Sequence, residues 1–340
     1  MEANLPGYND VREAHQRLSG HAVHTPVLRS EALDRRAGAE VFVKCENLQR
    51  GGAFKYRGAM NRLLQLTPEE RRRGVVAYSS GNHALAVTLA AQELGLRAIL
   101  VMPSDAPGSK LEAVRGMGGE VHLYDREQGG REALAAALAE REGGVLVPPF
   151  DDARVIAGAG TAALELVQEV PELEALVLPV GGGGLIAGSA LAAHGTDPRL
   201  SVYGVEPVTA ADAKLSLERG AITPLAAPAR TIADGLRTER VGVLTFAIMR
   251  AHVAGVATVA DAQLVEALDL LLFDMKIVAE PSGAAAVAAV LQGAFPHYRA
   301  PFRRVGVVVS GGNVDRAALS AYLAASGAEG EAAPAGPAAA

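Results

Sequence analysis

One lysine has surroundings that suit chemistry. In Glu46-Asn47-Leu48-Gln49-Arg50-Gly51-Gly52-Ala53-Phe54-Lys55-Tyr56-Arg57-Gly58-Ala59, Lys55 lies between aromatic and small residues, just after an apolar run at 41–45 and at the start of a helical pattern. An amine held there loses solvation, and a partly desolvated lysine is a nucleophile able to form a Schiff base with an aldehyde. Local composition alone fits an ordinary solvated lysine as well. A second stretch changes the weighing. Val177-Leu178-Pro179-Val180 runs into Gly181, Gly182, Gly183 and Gly184 and then a helical pattern, so bare backbone N–H groups and a helix N-terminus converge on one point. Such a point suits a phosphate. A Schiff-base lysine together with a phosphate cup suits pyridoxal phosphate, which carries its aldehyde and phosphate on one ring.

The elements that must position these residues alternate. Strands are predicted at 75–78, 98–102, 120–124, 145–147, 175–180, 200–206, 255–259 and 305–309, with helices at 82–94, 109–117, 130–142, 154–169, 184–193, 209–219 and within 241–292. This alternation indicates parallel strands with crossover helices. Three strand ends share one design: Tyr78-Ser79-Ser80-Gly81-Asn82-His83, Val180 with the four glycines, and Val309-Ser310-Gly311-Gly312-Asn313. In an open parallel sheet such turns gather outside the carboxyl ends of the strands, so one ligand could touch all three. Each is otherwise a tight strand-to-helix connection.

Composition narrows the function class. The 340 residues are 49% hydrophobic with a net charge of -6, which gives a buried core and no basic stripe for nucleic acid. Arg71, Arg72 and Arg73 read as a solvated helix end. The lone Cys45 sits in an apolar strand and reads as a buried, inert thiol, in keeping with a reducing cytoplasm. Residues 175–196 lack Asp, Glu, Lys and Arg, but Pro179 and the glycine run argue against a membrane span. No secretory signal is evident at the N-terminus. Residues 325–340, rich in Ala, Gly and Pro, read as a disordered tail.

With Lys55, the Ser-Ser-Gly-Asn-His turn, the glycine run and the Ser-Gly-Gly-Asn turn in this order, the chain resembles the pyridoxal-phosphate enzymes of the tryptophan-synthase-β fold type. Within these it is most similar to serine/threonine dehydratases and serine racemases. The resemblance spans roughly residues 10–323 and includes Thr231-Ile232-Ala233-Asp234-Gly235-Leu236 and Glu280-Pro281-Ser282-Gly283-Ala284. It implies an α/β fold of two open, mostly parallel twisted sheets with helices on both faces, and a cofactor in the cleft between two domains. The large domain is expected over 1–65 and 152–324, with a small domain inserted at 66–151. A homodimer is expected.

Carried over by position, the resemblance implies that Lys55 holds the cofactor, with Phe54 beside the ring and Gly181, Gly182, Gly183 and Gly184 at the phosphate. Asn82 would face the ring hydroxyl, and Ser310 the pyridine nitrogen. Gly235 and Glu280 would flank the ring. Ser79, Ser80, Asn82 and His83 would take the substrate α-carboxylate at a helix N-terminus. Lys55 would remove the α-proton as the β-hydroxyl leaves, and the resulting enamine would hydrolyse. L-Threonine or L-serine would thereby give a 2-oxo acid and ammonia.

Two positions bear on the alternatives, serine racemase and 3-hydroxyaspartate dehydratase. In the racemase branch the position of Ser80 supplies a hydroxyl on the face opposite the lysine; the other reading is carboxylate binding alone. Arg131 resembles a side-chain-recognition residue for hydroxyaspartate-type substrates, or is a solvated helical arginine. The resemblance also implies a Mg²⁺ or Ca²⁺ site at Glu206, the Ala210 carbonyl and Asp212, a donor set that suits a hard cation; local capping of backbone N–H groups by the two carboxylates is the alternative. Leu85 and Ala159 depart from the glutamines the family often carries. A rival remains: Gly182, Gly184 and Ala187 fit G-x-G-x-x-A, with Glu206 ending the next strand, as in a nicotinamide-dependent oxidoreductase. That reading leaves Lys55 and the other two turns without a role.

Overall fold

The computed structural model describes residues 5–79, 81–106, 108–125, 130–293 and 302–330. The chain begins with α1 (Tyr8–Arg17), β1 (Val27–Leu28), α2 (Glu31–Ala37), β2 (Glu40–Cys45), α3 (Lys55–Leu64) and α4 (Pro68–Arg73). There follow β3 (Val75–Tyr78), α5 (Asn82–Leu94), β4 (Ala98–Pro103), α6 (Gly108–Gly116), β5 (Glu120–Tyr124), α7 (Arg131–Glu142) and β6 (Val145–Leu146). The remainder is α8 (Ala153–Glu169), β7 (Ala175–Pro179), α9 (Gly184–Thr196), β8 (Ser201–Pro207), α10 (Asp212–Arg219), α11 (Val243–His252), β9 (Gly255–Val259), α12 (Asp261–Asp269), α13 (Pro281–Gln292), β10 (Arg304–Val309) and α14 (Arg316–Gly330).

The strands form two sheets. The larger has six in the order β1-β2-β10-β7-β8-β9, parallel except for β1; the smaller has four in the order β5-β4-β3-β6, all parallel. Helices cover both faces, so the strands are apolar on both sides rather than alternating. In the six-stranded sheet Phe42, Val308, Leu176 and Val202 pack into the core on one face, and Val43, Val307, Val177 and Tyr203 into that on the other. The four-stranded sheet has its own two faces, with Ala77 and Leu100 on one and Val76 and Ile99 on the other.

Local chemistry fixes the ends of the elements nearest the site. Asp152 caps α8 by accepting from the N–H groups of Arg154 and Val155. Thr67 and Glu70 form a reciprocal capping box around Pro68 at the start of α4, and Arg71, Arg72 and Arg73 occupy its last turn. Helices α8 and α9 touch backbone to backbone: a β-carbon on Gly160 would lie 2.4 Å from the Gly188 carbonyl oxygen. Cys45 is fully buried, and burial pushes its thiol up to about 12.

The strand pattern in the sequence carries through, with small shifts of the ends. The short antiparallel β1 escapes it because two residues carry no periodicity. A 3₁₀ turn, Val208–Ala210, precedes α10 where the pattern predicts one continuous helix. Helix α14 extends to Gly330, so the first residues of the expected tail are helical. Residues 331–340 lie outside the described residues. Among the described residues no helix is long and apolar enough to cross a membrane.

Candidate active site

The turns after β3, β7 and β10 meet at one pocket. Ser79, Gly81, Asn82 and His83 come from the first, Gly181 through Gly184 from the second and Ser310 from the third; Phe54, Lys55, Arg131, Gly235 and Glu280 complete the set that the sequence singles out. Ser80 lies outside the described residues. The backbone N–H of Phe54 donates to the Ser310 carbonyl at 3.0 Å, which ties the lysine's turn to the end of β10.

Lys55 opens α3 and is half-buried, its Nζ 5.0 Å from the Phe54 ring centroid and donating to the Pro149 carbonyl at 2.7 Å. Burial pulls its pKa down to about 8, so the unprotonated amine, although the minor form near neutrality, is far more populated than for a solvated lysine. The helix that carries it is anchored from below. Arg57, fully buried, donates to Glu46 at 2.7 and 2.8 Å and to Glu165 at 2.6 and 2.8 Å. Lys44 adds a second cation to Glu165 at 2.7 Å.

The glycine run is a cradle with no room for side chains. A β-carbon on Gly182 would lie 2.1 Å from the Phe150 ring, and Gly183 combines φ +90° with a would-be contact of 2.9 Å to Thr245. Helix α9 starts at Gly184, so its first N–H groups face the same space. A closed, glycine-lined cup at a helix N-terminus beside a low-pKa lysine fits the phosphate and aldehyde of pyridoxal phosphate. Asn82 donates from Nδ2 to Glu280 Oε1 at 2.6 Å and accepts from Asn313 at 3.0 Å. Burial, reinforced by Asp234, raises Glu280 to about 8, so this carboxyl is mostly protonated at neutral pH.

His83 lies at the start of α5, but its ring is engaged elsewhere. Its Nε2 lies 2.9 Å from the Val147 carbonyl, an acceptor only, so Nε2 carries the ring proton. Burial, and then the Lys55 charge, lower the ring to about 3, and the buried Nδ1 has no partner. The ring thus offers a substrate carboxylate no donor, and only the backbone N–H of His83 remains for that task.

Lys110, Pro149, Phe150 and Asp234 also line the pocket, and the sequence motifs mark none of them as a site residue. Pro148-Pro149, directly after a strand, is the one available signal, since two prolines leave carbonyls without N–H groups. At the expected cation site, Glu206 and Asp212 are both fully buried. Glu206 caps α10, accepting from the N–H groups of Ala213 at 2.8 Å and Lys214 at 2.9 Å, whereas both Asp212 oxygens lack any hydrogen-bond partner. Among the described residues no three His, Cys, Asp or Glu side chains converge as a ready metal cluster. Leu85 packs into the core of the four-stranded sheet, and Ala159 is buried.

Comparison with known proteins identifies the family. Residues 18–311 match the family described as pyridoxal-phosphate dependent enzyme. The chain is 46% identical to a serine racemase of Schizosaccharomyces pombe over 92% of its own length and 95% of that protein's. It is also 46% identical to an L-threo-3-hydroxyaspartate ammonia-lyase of Pseudomonas sp, over 92% and 96%. Among solved structures it resembles a serine racemase from Dictyostelium discoideum, with a TM-score of 0.85 and 40% identity over 91% of this chain and 99% of that one. These relatives remove the footing for a nicotinamide-dependent oxidoreductase, and they favour the racemase and hydroxyaspartate alternatives over a threonine dehydratase.

Proposed function

The chain belongs to the pyridoxal-phosphate dependent enzymes, and on that footing we propose that this lyase releases ammonia from 3-hydroxyaspartate in preference to threonine or serine. The reading rests on Arg131, which opens α7 and lines the pocket that also holds Lys55. A guanidinium there pairs with a second carboxylate, which threonine and serine lack. The identity to an L-threo-3-hydroxyaspartate ammonia-lyase supports it.

When bound, the cofactor supplies an electron sink that acidifies the substrate α-carbon. The protein's residues do the rest. Gly181, Gly182, Gly183 and Gly184 would hold the phosphate, Lys55 the aldehyde carbon, and Ser310 would face the ring nitrogen. The N–H groups at the start of α5 orient the α-carboxylate, while Arg131 holds the β-carboxylate. The Lys55 amine takes the α-proton, its lowered pKa matching a base at neutral pH. Phe150, laid against the glycines, would shield that side of the cup from water. Keto-acid release should be fastest with 3-hydroxyaspartate, and Arg131→Ala should raise its KM about tenfold or more while leaving threonine little changed. Threonine as the best substrate of the unaltered enzyme overturns the reading.

Serine racemisation is the second reading, favoured by the identity to a serine racemase. Inversion needs proton removal on one face and delivery on the other, so Ser80 would be the acid opposite Lys55. Ser80→Ala should then abolish racemisation and D-substrate elimination while L-elimination persists. Loss of all three would reduce Ser80 to a binding residue.

A Mg²⁺ or Ca²⁺ ion at Asp212, Glu206 and the Ala210 carbonyl is part of the proposal. Its support is the pair of partnerless, buried Asp212 oxygens. A homodimer is proposed as well, supported by the exposed Leu48, Phe273 and Val278 side chains; light scattering reads it directly.

A further inference from the structure

Lys110 stands on α6, beside the four-stranded sheet, yet its Nζ lies 3.2 Å from Oδ2 of Asp234, on a 3₁₀ turn (Asp234–Leu236) of the other half of the molecule. Both residues line the pocket, so the pair spans its mouth. The same ammonium also overhangs the start of α5. A β-carbon built on Gly81 would lie 3.9 Å from Nζ, and Gly81 is the residue that precedes α5, whose first N–H groups have no partner within the helix. Lys110 is therefore within reach of two anion positions, one occupied by Asp234 and one at the helix N-terminus. Lys110 is 23% exposed and Asp234 51%, and ion pairs that open to water are weak and readily exchanged.

We propose that Lys110 is a substrate-binding residue that trades Asp234 for the substrate α-carboxylate. With the pocket free it pairs with Asp234 across the mouth. When a carboxylate settles on the first turn of α5, the ammonium swings to it and adds a charge-assisted hydrogen bond to those from the backbone. Asp234 is then a competitor that the substrate displaces. This rests on the reading of the pocket as an amino-acid ammonia-lyase site.

A fixed strut between the two sheets would use the same pair, but the two ideas differ in sign. A strut fails equally from either end, whereas an exchange makes Asp234 an obstacle and Lys110 an aid. The test measures KM for 3-hydroxyaspartate, threonine and serine, and calorimetric binding of succinate, in cofactor-loaded wild type, Lys110→Met, Lys110→Arg and Asp234→Asn. Lys110→Met should weaken both KM and succinate binding about tenfold, Lys110→Arg should recover most of the loss, and Asp234→Asn should tighten both about threefold. Shifts in the same direction for Lys110→Met and Asp234→Asn, or a Lys110→Met effect below about twofold, overturn the exchange. If wild type turns over none of the three amino acids, the functional reading has failed. The succinate measurements, which need no turnover, then decide the exchange alone.

Discussion

Lys55 and His83 hang from one short segment of chain: the lysine donates to the carbonyl of Pro149 at 2.7 Å and the imidazole to that of Val147 at 2.9 Å. Pro148 and Pro149 have no N–H, so at these two positions the segment offers acceptors alone. The lysine amine is thus fixed by what it donates, and once it is deprotonated its lone pair is left free.

From this follows a titration. Burial lowers Lys55 to about 8, against about 10.4 for a free lysine. In cofactor-free protein, competitive acetylation of Lys55 should reach half its maximum near pH 8; a midpoint of about 10 or higher contradicts the burial. Between those two values the unfolded chain binds more protons than the folded one, so the lysine's contribution to stability rises with pH across that window. Lys55→Ala should abolish both turnover and the visible absorption of the loaded enzyme.

Gly182 has no space for a methyl group, because a β-carbon would enter the Phe150 ring. Gly182→Ala should cost about 1–3 kcal/mol in urea unfolding and weaken cofactor loading. Adding Phe150→Ala should restore part of the loading. No recovery would mean that the loop backbone, and not the ring, sets the limit.

Arg57 compensates two carboxylates in the interior, Glu46 and Glu165. Arg57→Met strands Glu46 and leaves Glu165 with Lys44 as its buried cation, and a loss of about 3–5 kcal/mol is expected from denaturant titration. Restoring neutrality with Glu46→Gln should recover a measurable part. A loss under about 1 kcal/mol would show that water reaches the network.

Asp212 and Glu206 give a pH signature for the proposed cation. Burial raises Asp212 to about 7, and burial together with Asp212 raises Glu206 well above the usual carboxylate range. In chelated protein the stability carried by these protonated carboxyls is complete only below the unfolded carboxylate range, about 4, and is lost progressively as pH rises from there through the folded value of about 7 for Asp212. The gap in Tm between magnesium-replete and chelated protein should therefore widen as pH rises through about 7. Equal melting throughout, with no metal by elemental analysis, removes the site.

Much of the site is legible in the sequence. Gly181, Gly182, Gly183 and Gly184 announce themselves because only a run without side chains makes a cup, and the alternating apolar runs fix the strands because parallel sheets bury both faces. Lys110 and Asp234 are not legible. They are 124 residues apart, and nothing local to either one encodes a meeting that depends on how the two sheets face. A histidine at a helix start suggests a donor to a carboxylate; the Val147 carbonyl that captures the proton of His83 belongs to a strand end 64 residues away. Residue type marks Asp212 as a ligand candidate, but only burial shows that its oxygens are left without donors while those of Glu206 are not.

The chain passes between the two sheets twice, once after α3 and once between β6 and α8. The second crossing is the segment that receives Lys55 and His83, and Asp151 within it also grips the start of α11 through the N–H groups of Val243 and Leu244 at 2.9 and 2.8 Å. Mechanically, that strip is a tendon. A rotation of the four-stranded sheet would load it at one end while Asp151 and the Asp152 cap anchor the other, and the Pro149 carbonyl sits in the stretched span. Tightening and slackening of this span would move the lysine's acceptor, so the Lys55 amine would sense the posture of the small sheet with no side chain carrying the message.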